Sequence, residues 1–350
     1  MKFLVEVLHP AQVHLFRNTI SILEERGHEV IVTSRQKEMT VELLDELGIQ
    51  HTVLSKKKQG LTGMFAELLV RNWRLWTIAR KERPDAMLAL TGVAMGPIGR
   101  VCGIPTVLVD EAEFAYLQRL LSVPLATAVV VGTGYLKPIQ RNFIQYRGIW
   151  VQAYLAKKYF SPSQEVADRF AHGSGRPTVF VRLVDQSSNH DLGAKNESDD
   201  TLRPSLESLQ AVASVVVSSE APLPRDLQHL KMKTPKALVH SLLAHCSAVV
   251  SNSPTMAAEA ACLGVPSIYF GRLQWGYVRA LTEHFKAMDQ VASLNEAVAR
   301  AVEVVRGSKK RSAEHPLDDT DDIPALLADV LVGLVHHGGS VSRLKQALGR

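Results

Sequence analysis

Short apolar runs alternate with amphipathic segments along the first half of the chain. Six runs are four to six residues long, rich in Val, Leu or Ile, and bounded by turn residues, which is typical of buried strands. These predicted strands are Phe3–Leu8, Glu29–Thr33, His51–Leu54, Ala86–Leu90, Thr106–Val109 and Ala128–Val131. Between the first two, apolar residues such as Leu15, Phe16 and Leu23 recur at helical spacing, which predicts a helix over Val13–Glu25 that stops at Gly27. This alternation predicts an α/β fold, a parallel sheet with helices on both faces.

The second half repeats the alternation on a smaller scale. Its predicted strands are Thr178–Arg182, Ser214–Val217, Ala248–Ser251 and Ser267–Phe270, and its predicted helices are Ala237–Ala244, Thr255–Leu263 and Ile323–Leu334. Polar stretches over Asp185–Asp200 and Gly307–Asp322 predict loops. Because the pattern breaks near residues 155–175, we predict two Rossmann-like, doubly wound domains, with a C-terminal helix and tail. Their predicted ranges are residues 1–160, 161–320 and 321–350.

The composition is that of a soluble globular protein. The chain has 350 residues, of which 46% are hydrophobic and 21% charged, a length that fits two domains. The formal net charge of +5 is too small to indicate a nucleic-acid partner. The three cysteines are far apart, which argues against a disulfide framework or a zinc site and favours a reducing cytoplasm. No apolar run approaches the roughly 18 residues of a membrane span.

The segment 248–270 is the most informative part of the sequence. A predicted strand ends just before Ser253, which is a suitable N-cap, and Pro254 suits the first helical position because the amide it lacks would be unpaired there. The free amides of Thr255 and Met256 are then expected at the positive end of a helix, at the carboxyl end of a parallel strand. Several N–H donors and the helix dipole meet at such a position, which suits a diphosphate.

Glu259 follows Thr255 by four residues and Met256 by three, so it lies on the same helix face, one turn further on. A carboxylate at this point can accept hydrogen bonds from two ribose hydroxyls. We expect an exposed glutamate, whose removal weakens UDP binding and barely changes folding. The alternative is an alanine-rich, capped helix that packs on a sheet and binds no ligand.

These residues together are similar to a known family. The segment 248–270 resembles the nucleotide-binding segment of two-domain GT-B proteins, above all the bacterial and archaeal family related to lipid-A-disaccharide synthase and UDP-N-acetylglucosamine 2-epimerase. The first strand, the Pro10-Ala-Gln-Val-His14 loop and the strand after Gly27 resemble that family's start, and the resemblance covers residues 1–305. Further matches in the same order are Gly103-Ile-Pro-Thr106, Asp110-Glu-Ala-Glu113 and Val181-Arg182.

The resemblance implies a nucleotide-sugar site that needs neither metal nor cofactor. Arg182 would neutralise the departing diphosphate, or else form an interdomain salt bridge. His14 would deprotonate the acceptor, oriented by Glu6 or Glu113; otherwise it is a helix-start histidine bonded to backbone. Glu113 follows the fifth strand, where a carboxylate faces the ligand crevice and can itself serve as the base, or else it is a surface charge.

Several residues depart from the family's pattern near these positions. Pro254 stands where the family usually has glycine, Gln12 and His9 stand where histidine and asparagine are expected, and Phe114 follows Glu113 where histidine is usual. These departures bear on catalysis and on the identity of the donor, and they leave the fold prediction unchanged.

Three functions are compatible with these residues. The first is transfer of a sugar from a nucleotide sugar, UDP-linked, to a hydroxyl of a cell-envelope or polysaccharide acceptor, which includes lipid-linked acceptors. The second is a UDP-N-acetylglucosamine 2-epimerase-like reaction, against which the few acidic residues around residues 9–14 argue. The third is a non-catalytic protein that binds nucleotide sugars or acts as a scaffold, which the departures at Gln12, Phe114 and Pro254 favour.

The segment 65–83 has an amphipathic pattern of its own. Phe65, Leu69, Trp73 and Trp76 recur at helical spacing. The basic residues fall on the opposite side: Arg71, Arg74 and Lys81. One interpretation is a helix on the inner face of the membrane, in contact through Phe65, Trp73 and Trp76. The other is a core helix with a solvated basic face, which the need for a helix covering the sheet favours.

Overall fold

The computed structural model describes residues 1–111, 113–170, 175–185, 198–308 and 315–350. These residues form two compact units, one of Met1–Tyr154 with Thr320–Arg350 and one of Leu155–Asp319. Each unit contains one parallel sheet flanked by helices, so the predicted α/β class is confirmed. Among the helices of the described ranges, none combines the length and the apolar character needed to cross a membrane.

Seven parallel strands make the sheet of the first unit. They are β1 (Lys2–Val7), β2 (Glu29–Gln36), β3 (His51–Lys56), β4 (Ala86–Leu90), β5 (Thr106–Val109), β6 (Ala128–Val131) and β7 (Phe143–Gln145). Their order across the sheet is β3-β2-β1-β4-β5-β6-β7. Six of these strands were predicted. The seventh has three residues, too short a run to show a period of its own.

The helices of the first unit cover both faces of this sheet. They are α1 (Pro10–Glu25), α2 (Thr40–Glu46), α3 (Leu61–Glu82), α4 (Met95–Cys102), α5 (Tyr116–Ser122) and α6 (Gln152–Leu155), joined by α13 (Ile323–His336) and α14 (Val341–Ala347) from the end of the chain. The chain steps from β1 out to β3 and then returns to β4, so right-handed crossovers place α1 and α2 on one face and α3, α4 and α5 on the other. Helix α13 packs against α1.

The first half of helix α3 exposes the apolar face that its sequence predicts to be buried. Phe65 and Trp73 are each 62% exposed and Leu69 is 54% exposed, whereas Glu67 and Arg71 are buried. The core-helix interpretation is therefore wrong for the first half of α3, and the basic face predicted to be solvated carries the buried Arg71. The second half packs through the face of Glu67 and Arg71, with Leu75 and Ala79 in the core beneath the helix, whereas the predicted Trp76 is only partly buried.

A buried ion pair explains the orientation of α3. The Arg35 guanidinium donates two hydrogen bonds to the Glu67 carboxylate, at 2.7 and 2.6 Å, and the Ser55 hydroxyl donates a third at 2.7 Å. Burial raises the pKa of Glu67, but the bonds from Arg35 and Ser55 outweigh it and hold that pKa below its usual value. The carboxylate is thus fully bonded under the helix, and the aromatic side chains are left on the outside.

Five parallel strands make the sheet of the second unit, in the order β12-β11-β10-β8-β9. The strands are β8 (Thr178–Leu183), β9 (Ser214–Ser219), β10 (Ala248–Ser251), β11 (Ser267–Phe270) and β12 (Met288–Val291). The helices are α7 (Gln164–Phe170), α8 (Asp199–Gln210), α9 (Val239–Ala244), α10 (Pro254–Cys262), α11 (Gly276–Arg279) and α12 (Leu294–Glu303). Sequence patterns missed β12, whose first residue alone is fully buried.

The two predicted loops fall only partly within the described ranges. Most of Asp185–Asp200 and residues 309–314 of Gly307–Asp322 lie outside them. The last two residues of the first predicted loop, Asp199 and Asp200, instead begin α8, because acidic side chains are favourable in the first turn of a helix.

Candidate functional site

Strand register brings the predicted donor-site residues of the second unit to one edge of its sheet. Arg182 of β8 pairs directly with Ser251 of β10, and both lie at the carboxyl ends of their strands. Asn252 fastens the two strand ends together: its side-chain amide donates to the Val184 carbonyl at 3.1 Å and its carbonyl accepts from the Val184 amide at 2.6 Å. Carboxyl edges of parallel strands are where open α/β sheets bind ligands.

Helix α10 begins at this edge as its sequence predicts, with one difference. Ser253 is the N-cap and Pro254 occupies the first helical position. The Ser253 hydroxyl accepts from the Met256 amide at 3.4 Å. The expectation of two free amides at Thr255 and Met256 is therefore wrong for Met256, because an N-cap oxygen reaches the third amide of its helix.

Glu259 is buried rather than exposed. The residue is 7% exposed, and its Oε1 lies 3.2 Å from Nε2 of His240 on α9, which packs against α10. Alanines surround Glu259 in the sequence, so α10 approaches its neighbours closely and covers the carboxylate. His240 lies 19 positions earlier in the chain, and no periodic pattern links it to Glu259. The expectation that loss of Glu259 barely changes folding assumed an exposed side chain, and the observed burial contradicts that assumption.

Arg182 is held in place by its own unit. One guanidinium nitrogen donates to the Ser218 hydroxyl at 3.0 Å, and another is hydrogen-bonded to Glu220. Glu220 also accepts from the backbone amide of Asp185 at 3.1 Å. The carboxylate partner of Arg182 thus belongs to the same unit, and this pairing fixes the cation at the carboxyl edge.

In the first unit, His14 lies half-buried on α1. Its ring stacks on the ring of Tyr154, with centroids 5.1 Å apart and planes inclined by 30°. Tyr154 belongs to α6, at the end of the unit's first segment. The tyrosine fixes the plane of the imidazole, which sequence patterns did not show.

The departures at His9 and Gln12 have structural roles at the start of α1. His9 is the N-cap, and its Nδ1 accepts from the Ala11 amide at 3.2 Å. The Gln12 side chain accepts from the Leu8 amide at 2.7 Å. Burial, then the charge of Lys37, lowers the pKa of His9, which favours the neutral ring that accepts this bond. These two residues therefore satisfy backbone donors at the start of α1.

Glu6 lies in a different charge cluster from the one predicted. It is 1% exposed and shares its face of β1 with Leu4, which packs in the core beneath α3 and α4. Burial raises the pKa of Glu6, and the positive charges of Arg71 and Arg35 oppose this rise. Glu6 therefore belongs with the buried charges under α3, and the expectation that it orients His14 finds no support in these contacts.

Glu113 is buried at the carboxyl end of β5. Its residue is 1% exposed, so the surface-charge interpretation is wrong. Two more carboxyl groups precede it in the chain: Asp110 and Glu111. Asp110 accepts from the Thr91 hydroxyl at 3.1 Å and is bonded to Arg119 and Tyr135.

The neighbouring Glu111 carboxyl has an unusual proton affinity. Burial raises its pKa to about 8; the hydrogen bond from the Tyr146 hydroxyl opposes the rise, and the nearby charges of Glu113 and Asp110 add to it. This carboxyl group is thus largely protonated at neutral pH. Tyr146 directly follows β7, the strand that sequence patterns missed, so its place in the site was missed too.

Solved structures of two kinds share this architecture. UDP-GlcNAc 2-epimerase of Neisseria meningitidis, bound to UDP-GlcNAc, has a TM-score of 0.70 at 13% identity, over 95% of this chain and 100% of that one. The glycosyltransferase VinC in complex with dTDP has a TM-score of 0.58 at 14% identity, over 99% of this chain and 100% of that one. At these identities the likeness concerns the fold, and it confirms the GT-B fold predicted from the sequence.

Within this fold class, the family can be stated as well. The chain matches the family described as "Protein of unknown function (DUF354)" over residues 1–335, and it belongs to that family. The uncharacterized protein MJ0665 of Methanocaldococcus jannaschii is 23% identical over 282 residues, which is 75% of this chain and 80% of that protein.

Proposed function

We propose that this protein transfers a sugar from a UDP-linked donor to a hydroxyl acceptor in cell-envelope or polysaccharide synthesis, in the cytoplasm. The observation that carries the proposal is the carboxyl edge of the five-stranded sheet, where Arg182, the start of α10 and the buried Glu259 occupy one small region of a GT-B fold. Proteins of this fold are described with UDP-GlcNAc and with dTDP bound, which supports a nucleotide-sugar donor.

In the proposed donor site, different residues bind the diphosphate and the ribose of the nucleotide. Arg182 and the Thr255 amide bind the diphosphate, and the Met256 amide joins them when the Ser253 hydroxyl turns from its amide to the phosphate. Glu259 accepts hydrogen bonds from the ribose. A guanidinium and a helix N-terminus together stabilise the charge of the leaving diphosphate, so this mechanism assigns no role to a metal.

The N-terminal unit supplies the proposed acceptor site. His14, with its ring held against Tyr154, or the buried Glu113 takes the proton of the acceptor hydroxyl. The acceptor oxygen then attacks the anomeric carbon as the bond from that carbon to the diphosphate breaks. The products are the glycosylated acceptor and UDP.

Epimerisation at carbon 2 of a UDP-sugar is the second candidate, and one observation favours it. Such a reaction needs groups that remove a proton from the sugar and return one to it. The Glu111 carboxyl, with its pKa raised to about 8 by burial, is protonated at neutral pH next to Glu113. The sequence has few acidic residues around residues 9–14, which argued against epimerisation. The buried carboxyl groups of Glu111 and Glu113 supply acidic residues elsewhere in the same unit.

Incubation with a panel of UDP-sugars separates the candidates. UDP released only with an acceptor supports transfer, a new sugar isomer without acceptor supports epimerisation, and tight binding with neither identifies a scaffold. Arg182→Ala should weaken UDP binding by about 1.5 to 3 kcal/mol, the range for hydrogen bonds to charged groups. Arg203→Ala is the matched control, because Arg203 is a half-buried arginine of the same unit, paired with Asp226. Equal UDP affinity of both variants would contradict the donor site.

A further inference from the structure

The outer surface of α3, α4 and α5 is unusually apolar for a surface facing water. Among the described residues, 18 large hydrophobic side chains are exposed, and ten of them lie on these three helices. Phe65, Leu69 and Trp73 follow each other at intervals of four residues, so they form one stripe along α3. Helix α4 packs against both α3 and α5, which joins the three outer faces into one surface. We call it the α3–α5 face.

Helix α5 extends the apolar stripe with leucines and a tyrosine. Leu117 is 68% exposed, Leu120 is 72% exposed and Tyr116 is 63% exposed. The ammonium group of Lys137 lies 5.0 Å from the centre of the Tyr116 ring, so an aromatic ring and a cation meet at this border of the face. Large exposed apolar patches on soluble proteins mark surfaces that contact a partner or a membrane.

Positive charge borders this face. In the segment 56–83, the exposed charged side chains are seven cations: Lys56, Lys57, Lys58, Arg74, Arg80, Lys81 and Arg83. The acids of the segment are the half-buried Glu82, which is paired with Lys2, and the buried Glu67, which is paired with Arg35. The charge that this border presents to solvent is therefore strongly positive.

A cavity of about 400 Å³ lies between the C-terminal ends of α3 and α4. Its lining residues include Trp76, Val101 and Ile104 together with Arg80 and Arg83. The Arg80 guanidinium lies 5.3 Å from the centre of the Trp76 ring. Two arginines beside aromatic and aliphatic side chains have the chemistry to receive an anionic headgroup together with the first part of its acyl chain.

We propose that the α3–α5 face docks on the surface of a bilayer that contains anionic lipids. Tryptophan, phenylalanine and leucine insert at the level of the headgroups, while lysine and arginine attract anionic phosphates. A second copy of the chain is a poor occupant, since a two-fold contact would bring the same excess of cations against itself. The ion pair of Glu67 with Arg35 holds the aromatic stripe outward before any lipid is present.

This docking rests on the proposed function and extends it, because it says where a lipid-linked acceptor would bind. Glu113 lies three residues before Tyr116, the first residue of α5. The hydroxyl of an acceptor docked on this face would therefore lie near the proposed base. Lipid docking and donor binding are separable in experiment. Vesicles can be tested without nucleotide, and UDP can be titrated without vesicles.

The test is sedimentation of the full-length protein with vesicles of phosphatidylcholine alone or mixed in equal parts with phosphatidylglycerol. We expect binding to the mixed vesicles, weakened by salt, and little binding to the neutral ones. Leu69→Gln should bind about tenfold more weakly, since it removes an apolar side chain from the contact. Leu47→Gln, a similarly exposed leucine just after α2, should bind like the wild type. Lys57→Ala should lower binding about fivefold.

Trp73→Phe gives a readout that a merely structural role would not change. It should still bind the mixed vesicles, but the blue shift of tryptophan emission on binding should be largely lost, because Trp73 is the most exposed tryptophan on this face.

Absence of vesicle binding, equal loss in Leu69→Gln and Leu47→Gln, or equal binding to neutral and anionic vesicles would each overturn the proposal. Self-association that Leu69→Gln abolishes, without vesicle binding, would assign the face to a second copy instead.

Discussion

Helices α3 and α10 each bury a glutamate near the carboxyl edge of a parallel sheet, and they do so in opposite ways. In α3, Glu67 is bonded by two nitrogens of Arg35 and one hydroxyl, and the helix exposes its aromatic residues. In α10, small alanines pack inward around Glu259, whose partner is the imidazole of His240. A permanent cation saturates the first carboxylate, whereas a histidine leaves the second able to exchange partners.

The difference separates a structural carboxylate from a candidate ligand-binding one. Two nearly parallel bonds from an arginine use both oxygens of Glu67, and the pair is too costly to break for the sake of a ligand. Glu259 instead lies 3.2 Å from the imidazole of His240, and a ribose hydroxyl replaces a histidine at a carboxylate more readily than it replaces a bidentate arginine. The four predictions that follow test this contrast.

The largest effect is expected for Glu67→Ala. Removal of Glu67 leaves the half-buried charge of Arg35 without its carboxylate, and loss of one partner from a buried ion pair costs about 3 to 5 kcal/mol of unfolding free energy. Urea denaturation measures this loss. Glu42→Ala, at an exposed position of α2, should stay within about 0.5 kcal/mol of the wild type. A small loss for Glu67→Ala would contradict its structural role.

Glu111→Gln tests a third buried carboxyl group, whose hydrogen-bond partner is the phenol of Tyr146 rather than an arginine or a histidine. Because burial raises its folded-state pKa to about 8, the folded protein keeps a proton that the unfolded chain releases above the ordinary value of 4.5. Between those pH values, the wild type should lose stability relative to the variant by about 1.4 kcal/mol per pH unit as pH rises. Below pH 4.5 the difference should become constant. Parallel stability curves from pH 5 to about 8 would exclude a raised pKa.

Glu259→Ala should affect both binding and folding. UDP affinity should fall by about 1 to 3 kcal/mol, and the stability of the free protein by a similar amount, because the buried contact with His240 is lost. Glu259→Gln separates the two effects: it keeps the shape and a hydrogen-bond acceptor for His240, so it should restore most of the stability and less of the affinity. Calorimetric titration with UDP and thermal melting give the two quantities. Unchanged UDP affinity in both variants would remove Glu259 from the donor site.

Ser253→Ala is expected to have the smallest effect on stability. Loss of an N-cap costs about 1 kcal/mol, here through the bond to the Met256 amide. The same change frees that amide, so UDP affinity should fall less than in Glu259→Ala. An affinity loss larger than that of Glu259→Ala would mean that the Ser253 hydroxyl itself is the main diphosphate ligand.

Short apolar runs with clear boundaries were enough to predict most of the fold. Five of the predicted strands coincide with the observed ones at both ends, among them Ala248–Ser251 and Ser267–Phe270. The N-cap at Ser253 and the proline after it were predicted as well, since capping depends on residues adjacent in the chain. The strands β7 and β12 were missed because neither shows a periodic apolar pattern. Strand β7 has only three residues, and strand β12 is mostly half-buried.

The orientation of α3 and the partners of the buried carboxylates were decided only by the tertiary structure. Apolar spacing showed that α3 has two faces, but a bond to Arg35, which lies 32 positions away from Glu67, determined which face is inside. In the same way, His240 and Tyr146 reach Glu259 and Glu111 through packing between elements. Periodicity reports preferences within one element, whereas a buried ion pair depends on which elements the fold brings together. Turning Glu67 outward would separate it from Arg35 and leave a charge without its partner.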